Sequence, residues 1–154
     1  MKKTAKSLTA VLCAVLTLGF TACQRDYEDL IIGSWEVVSC TITETVDGQS
    51  STETQVPPDG YSEICTFNKD NTFVGKRTGG GGSDTYQGTY SLSDDQLTIA
   101  VNSGWQDDEG EWHSTVDTET ATIKNLDKKE LVMVWTETEG ANYTYSVEYK
   151  LKRI

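Results

Sequence analysis

Few side chains here are of a type that does chemistry, and those few are scattered. The single histidine, His113, has no second His or Cys at metal-ligand spacing, so no zinc site is expected. Asp107-Asp108-Glu109-Gly110-Glu111 is a dense carboxylate run, and calcium favours oxygen clusters. The run lacks the Asp-x-Asn-x-Asp-Gly periodicity of a dedicated calcium loop and reads as a solvated charged tip. Gly79-Gly80-Gly81-Gly82-Ser83 is rich enough in glycine for a phosphate-binding loop, but no Lys-Ser/Thr and no helix start follows it. It reads as a flexible hairpin connection, suited to a mobile flap over an opening. There is no Gly-x-Ser-x-Gly, and His113 is the sole candidate for an imidazole base. Paired carboxylates for glycoside chemistry need a cleft that raises one pKa, and every acidic cluster here reads as a turn or a polar strand face. No catalytic residue, metal or cofactor is assigned, and the chain is not read as an enzyme. Trp105 and Trp112, which flank the acidic tip, leave two readings open. They form either an aromatic pair within a hairpin or an exposed platform at one rim for a sugar, a lipid or a partner protein.

Composition narrows the classes further. The chain has 154 residues, enough for one domain with a real core. With 13 Lys+Arg against 24 Asp+Glu, the formal charge of −11 argues against a nucleic-acid partner, since phosphate backbones demand clustered cations. Beyond the N-terminus no apolar run approaches the ~18 residues of a membrane-spanning helix.

The N-terminus is an address. Lys2, Lys3 and Lys6 precede a short apolar stretch from Leu8 to Phe20, which ends in small residues before Cys23. Phe20-Thr21-Ala22-Cys23 resembles a bacterial lipobox, with Phe20 where Leu is usual. The resemblance implies cleavage before Cys23 and a diacylated Cys23 as the membrane anchor. Acyl chains hold by burying CH₂ groups, at ~0.8 kcal/mol each. Gln24 in place of Asp resembles outer-membrane sorting, which places the protein in the outer membrane facing the periplasm or the cell surface. The expected division is therefore a signal peptide over 1–22, the lipidated Cys and an acidic tether over 23–29, and one domain over 30–154.

Whatever site exists must be positioned by strands. From residue 30 onward no helix is expected; Thr, Val, Tyr and Trp dominate, and turn signals recur at strand length. Strands are expected from Gly33 to about Thr43, Tyr61–Phe67, Thr72–Arg77, Thr85–Leu92, Leu97–Asn102, about His113–Ile123, Leu131–Glu137 and Tyr143–Arg153. Val46 to Gly60 is expected as a long polar loop. The last strand alternates cleanly, with Tyr143, Tyr145, Val147, Tyr149 and Leu151 on one face. Eight hairpin-linked strands leave two raw edges unless the sheet closes, which predicts an eight-stranded antiparallel up-and-down β-barrel, either packed solid or holding one small ligand.

Ile31-Ile32-Gly33-Ser34-Trp35, at the start of the first strand, resembles the Gly-x-Trp signature of lipocalins. Thr66 to Phe73, Gly88 to Leu92 with Leu97 to Ile99, and Ile123 to Leu131 resemble hairpins of bacterial lipocalin-like lipoproteins. The resemblance covers residues 30 to 154 and implies a small calyx-type barrel and no activity. Secreted animal lipocalins carry a helix after the barrel; here the expected last strand runs to the end of this sequence at Ile154. Closure sets the first strand beside the last, and alternation turns Arg153 inward. Its guanidinium is then available to the Trp35 indole, as lipocalins resemble; the alternative is a frayed C-terminus with Arg153 in solvent.

The leading functional reading is a monomeric, lipid-anchored binding module whose interior takes a small apolar or amphipathic molecule. Inward candidates are Trp35, Val37, Phe67, Phe73, Tyr86, Tyr90, Met133, Trp135, Tyr143, Tyr145 and Tyr149; many carry a polar tip. The alternative is an accessory lipoprotein with a solid core that meets a protein or glycan partner through loops and rims. Cys40 and Cys65, on neighbouring strands in an oxidising compartment, form either a disulfide or two buried thiols.

Overall fold

Period-two alternation gives the barrel strands one apolar face, and that face has to be covered. In the computed structural model, which describes residues 27–106 and 111–154 (of Gly104, Trp105, Gln106, Trp112 and His113 the backbone only), the sheet covers it by closing on itself. Nine strands lie among the described residues: β1 (Gly33–Val46), β2 (Gln49–Gln55), β3 (Ser62–Phe67), β4 (Thr72–Gly79), β5 (Gly82–Ser93), β6 (Gln96–Gln106), β7 (Trp112–Leu126), β8 (Glu130–Glu139) and β9 (Tyr143–Arg153). β1 and β3 to β9 pair antiparallel in sequence order, and β1 pairs with β9 from Trp35↔Arg153 to Val46↔Tyr143, closing an eight-stranded barrel.

β2 corrects the expected polar loop. It pairs with the second half of β1, from Cys40↔Gln55 to Val46↔Gln49. Every residue of β2 is exposed, so no apolar face drives it. Its support is a ladder of hydroxyl pairs across the strands, Thr41 to Thr54 at 3.0 Å, Thr43 to Thr52 at 3.2 Å and Thr45 to Ser50 at 2.8 Å. Asp47 and Gly48, both at positive φ (50° and 79°), make the two-residue turn. Asp-Gly between paired strands is the strongest short hairpin signal, and it stands in the sequence.

The glycine run is likewise tighter than expected. β4 continues to Gly79 and β5 starts at Gly82, with Gly79 opposite Gly82. Gly80 and Gly81, at φ 59° and 85°, form a two-residue turn rather than a flap.

The expected tether also contributes to the fold. Residues 27–31 form one short helical stretch. Ile31 at its end is fully buried, and Tyr27, Leu30 and Ile32 pack against the core, so this stretch stops one end of the barrel. The core lies just inside it, built from Trp35, Phe67, Leu97, Ala121, Leu131 and Leu151, all at most 1% exposed. Among the described residues no helix is long and apolar enough to cross a membrane.

Candidate functional site

The stopped end is held by one cation. Gly33 sits at φ +135°, in the left-handed region, and a Cβ there would stand 2.7 Å from Arg153 Nη1. Glycine therefore serves both the backbone and the space above it. The space is filled by the Arg153 guanidinium, whose Cζ lies 4.3 Å from the Trp35 ring centroid. Nη1 donates to Ile32 O at 3.0 Å and Nη2 donates to Leu30 O, both carbonyls at or just past the end of the 27–31 helix. Trp35 Nε1 donates to Ile31 O at 2.8 Å. A cation at helix-terminal carbonyls and over an indole face is favourable on both counts. This end is packed shut.

The other half of the interior is not filled. A cavity of about 750 Å³ lies between β3, β4, β5, β6, β7, β8 and β9 and one residue of β1, Val37. Its floor is apolar and buried, made of Val37, Cys65, Phe73, Ile99 and Met133. Its sides carry Tyr86, Trp135, Tyr145 and Tyr149, all half-buried. Trp135 and Tyr149 meet edge to face at 5.3 Å, a favoured aromatic arrangement.

One side chain depends on a missing neighbour. Gly75 lies between Cys65 and Tyr86 in the paired rows, and a Cβ on it would fall 2.0 Å from Tyr86 Cζ. The Tyr86 ring occupies the place of that absent side chain. From there its hydroxyl donates to Glu63 Oε1 at 2.7 Å, and Arg77 donates to the same oxygen at 3.0 Å while its guanidinium lies 4.9 Å from the Tyr86 ring centroid. Burial, with Glu63 close by, pushes the Cys65 thiol up to about 12. Burial, with Cys40 beside it, pushes the Tyr149 hydroxyl up to about 12. Neither group ionises at neutral pH, so neither is a ready nucleophile.

Higher up, the wall turns acidic. Asp84, Asp117, Glu119 and Glu137 line the cavity toward solvent and are exposed. With Glu63 they make five carboxylates against one cation, Arg77. Asp117 accepts hydrogen bonds from Ser103 at 2.6 Å and Thr115 at 3.1 Å. Among the described residues no three His, Cys, Asp or Glu groups gather closely enough to hold a metal ion.

The structure sorts the expected site residues by height. Phe73, Tyr86, Trp135 and Tyr145, with Val37, Met133 and Tyr149, line the cavity. Trp35 and Phe67 do not; both are core at the closed end. Tyr90 faces inward but low, where its hydroxyl donates to Asn68 O at 2.8 Å. Tyr143, at the start of β9, does not line the cavity; its hydroxyl lies near Glu44 and is pushed above the usual range by burial, with that carboxylate close by. Cys40 and Cys65 are both free thiols, so the disulfide reading is corrected. Register explains it: Cys65 pairs with Trp35, five residues before Cys40 along β1, and Cys40 pairs with Tyr149 and Gln55. The side chains of Trp105 and Trp112, the acidic run 107–110 and Cys23 lie outside the described residues; the backbone register pairs Trp105 with His113 and Trp112 with Gln106, not with each other. The inward acids were missed because single carboxylates in Thr-rich strands look like the solvent face.

A family model described as a lipocalin-like domain matches residues 31–133. The chain belongs to the lipocalin-like family. Among solved structures, this lipocalin-like chain is similar to an uncharacterized protein from Bacteroides eggerthii DSM 20697, at 16% identity over 80% of this chain and 98% of that one, with a TM-score of 0.46. It is similar also to isotype 1 transferrin binding protein B from serogroup B Neisseria meningitidis, at 15% identity over 79% of this chain and 25% of that one, with a TM-score of 0.42. Both likenesses are too distant to carry a function across. No curated protein matches.

Proposed function

We propose that this lipocalin-like barrel is a binding module, not an enzyme, and that it holds one small apolar or amphipathic molecule in its open half. The observation that carries the reading is the cavity of about 750 Å³ with an apolar floor and aromatic sides. That volume falls within the ~300–1,000 Å³ of small-molecule sites, and mostly apolar walls with a few polar groups are what such sites present. The tyrosine hydroxyls at mid-height suit a ligand with a polar end. The anchor in this reading is an acylated Cys23, with the protein in the outer membrane and the barrel carried on a short N-terminal tether.

The test is native mass spectrometry of the protein purified from its own cells. A bound small molecule that disappears when Trp135 and Tyr149 are replaced by Ala is the expected result. Recovery of the bare chain, together with a Tm that no alkyl probe raises, would overturn the reading, because a ligand that binds the folded state must stabilise it.

A further inference from the structure

We infer that the cavity has a second opening, a side entrance through the barrel wall between β7 and β8, which like charges on the two strands hold apart and through which an apolar ligand enters and leaves. The inference rests on the cavity reading above and adds the route. It starts from where a ladder stops. β7 pairs with β8 only from Leu126↔Leu131 to Thr122↔Val134. β7 extends the other way to Trp112 and β8 to Glu139, and among the described residues nothing pairs the two above that point. Their other edges are paired throughout: β6 follows β7 to Gln106↔Trp112, and β9 follows β8 to Glu139↔Tyr143. The cavity reaches into the unpaired seam. Successive residues of a strand point to opposite faces, so an interior cavity should touch every second one. Here it touches residues 117–120 of β7 and 135–137 of β8 in unbroken succession. The β5–β6 ladder also ends early, at Gln87↔Asn102, but there only alternate residues line the cavity, Asp84 and Tyr86 on β5 and Ile99 and Val101 on β6. The cavity stays behind that seam.

The side chains along the seam explain why it stays open. Carrying the register of Thr122↔Val134 upward one step at a time would set Glu119 opposite Glu137 and Asp117 opposite Glu139. Like charges directly opposite destabilise a strand pair. On the flanking ladders the same four acids have uncharged partners: Glu119 pairs with Ile99, Asp117 with Val101, Glu137 with Tyr145 and Glu139 with Tyr143. The acids are therefore compatible with the β6–β7 and β8–β9 hairpins and oppose one another only across β7 and β8. Among the described residues no Lys or Arg forms an ion pair with Glu119, Glu137 or Glu139 to neutralise them. Below the seam the facing inward pair is Ile123↔Met133, apolar on both sides, and there the ladder holds. Trp135 stands at the foot of the seam, and Met133 of the apolar floor lies two residues below it on the same face. A ligand passing between the strands arrives at the floor directly.

The test uses the full-length chain carrying Cys23→Ser, which keeps every described residue, and N-phenyl-1-naphthylamine, a neutral apolar fluorophore. Its uptake is read by stopped-flow fluorescence, and its displacement by decanol assigns it to the cavity. Glu119→Lys turns the repulsion toward Glu137 into attraction. Closing the seam should raise the hydrogen-exchange protection of amides 118–121 and 135–138. It should also slow uptake by about fivefold, the size of effect that one reversed cross-strand charge pair supplies. Glu119→Lys/Glu137→Lys sets like charges opposite again and should return protection and uptake to near the parent values. Glu148→Lys makes the same change of charge on the outer face, opposite Thr41 and Val134, and should alter neither. Should Glu119→Lys fail to fold by circular dichroism, Glu119→Thr decides the matter, with the same direction and a smaller size. Higher protection with unchanged uptake would overturn the side entrance and leave the mouth as the route. Unchanged protection, or slow uptake that persists in the double Lys variant, would overturn the like-charge seam. A parent chain that takes up no fluorophore would overturn the cavity reading itself.

Discussion

The two ends of this barrel use the same strands and the same alternation, and they differ in what stands at the inward positions. At the closed end the inward residues are Trp35, Phe67, Leu97, Leu131 and Leu151, none more than 1% exposed, and the Arg153 guanidinium is stacked and hydrogen-bonded. At the open end they are tyrosines, Trp135 and a ring of carboxylates around space. The lesson is that closure and open space have been given to different heights of one sheet. Stability is concentrated where the helical stretch and the C-terminal arginine meet, which leaves the other half free to be hollow and charged.

The largest effect should come from the closed end. Trp35→Ala removes a fully buried indole and is expected to cost about 3–5 kcal/mol in urea unfolding. Tyr145→Ala, half-buried at the open end, should cost about 1 kcal/mol. Equal losses would erase the distinction between the ends. Next comes Arg153. Ending the chain after Leu151 removes its stack on Trp35 and its bonds to two carbonyls and should cost about 2–3 kcal/mol. Arg153→Lys keeps the charge without the flat surface and should lose about 1 kcal/mol; a Lys variant as stable as the parent would show that the stack contributes nothing.

Gly75→Ala sharpens the comparison from the other side. The new methyl group would occupy the space of the Tyr86 ring and drive it off Glu63, a side-chain move expected to cost only about 1–2 kcal/mol. Its main result should appear in calorimetry as weakened decanol binding, which Arg153→Lys leaves intact. Unchanged binding in Gly75→Ala would remove Tyr86 from the site. The smallest effect concerns pH at the turn between β7 and β8. Asp127 accepts hydrogen bonds from the N–H groups of Lys129 at 2.7 Å and Glu130 at 2.9 Å, and these backbone bonds hold its carboxyl below the usual range. A folded pKa below the unfolded one stabilises fully above the ordinary Asp value of about 3.9, and the gain is lost as pH falls through the folded pKa. Asp127→Asn should therefore lower Tm slightly at neutral pH, with the gap closing on acidification. A gap independent of pH would assign the effect to the turn's shape rather than to its charge.

Much of this was readable from single residues. Alternation assigned faces correctly along β9, where Tyr145, Val147, Tyr149 and Leu151 turn inward together, and the inward reading of Met133 and Trp135 on β8 also agrees with the structure. Asp47-Gly48 announced a hairpin that the all-polar Gln49–Gln55 obscured, because a strand without an apolar face has no period to detect. Residues 27–31 were too few for a helical period to emerge. Alternation also gave no height: Tyr90 and Tyr86 share a face of β5, yet Tyr90 is bonded into the closed end and Tyr86 lines the cavity.

By itself, the sequence determined the class of strand, the face of each side chain and the need for closure, since those follow from local sterics and from unpaired edges. Tertiary structure decided which inward residues meet. Register sets Asp117 beside Val101 and Glu119 beside Ile99, the bulge between Val37 and Ser39 resets the β1 pairing before Cys40, and the helical stretch fixes which end is stopped. A cavity is the space left when many strands have taken their places at once, so no segment of the chain specifies it alone.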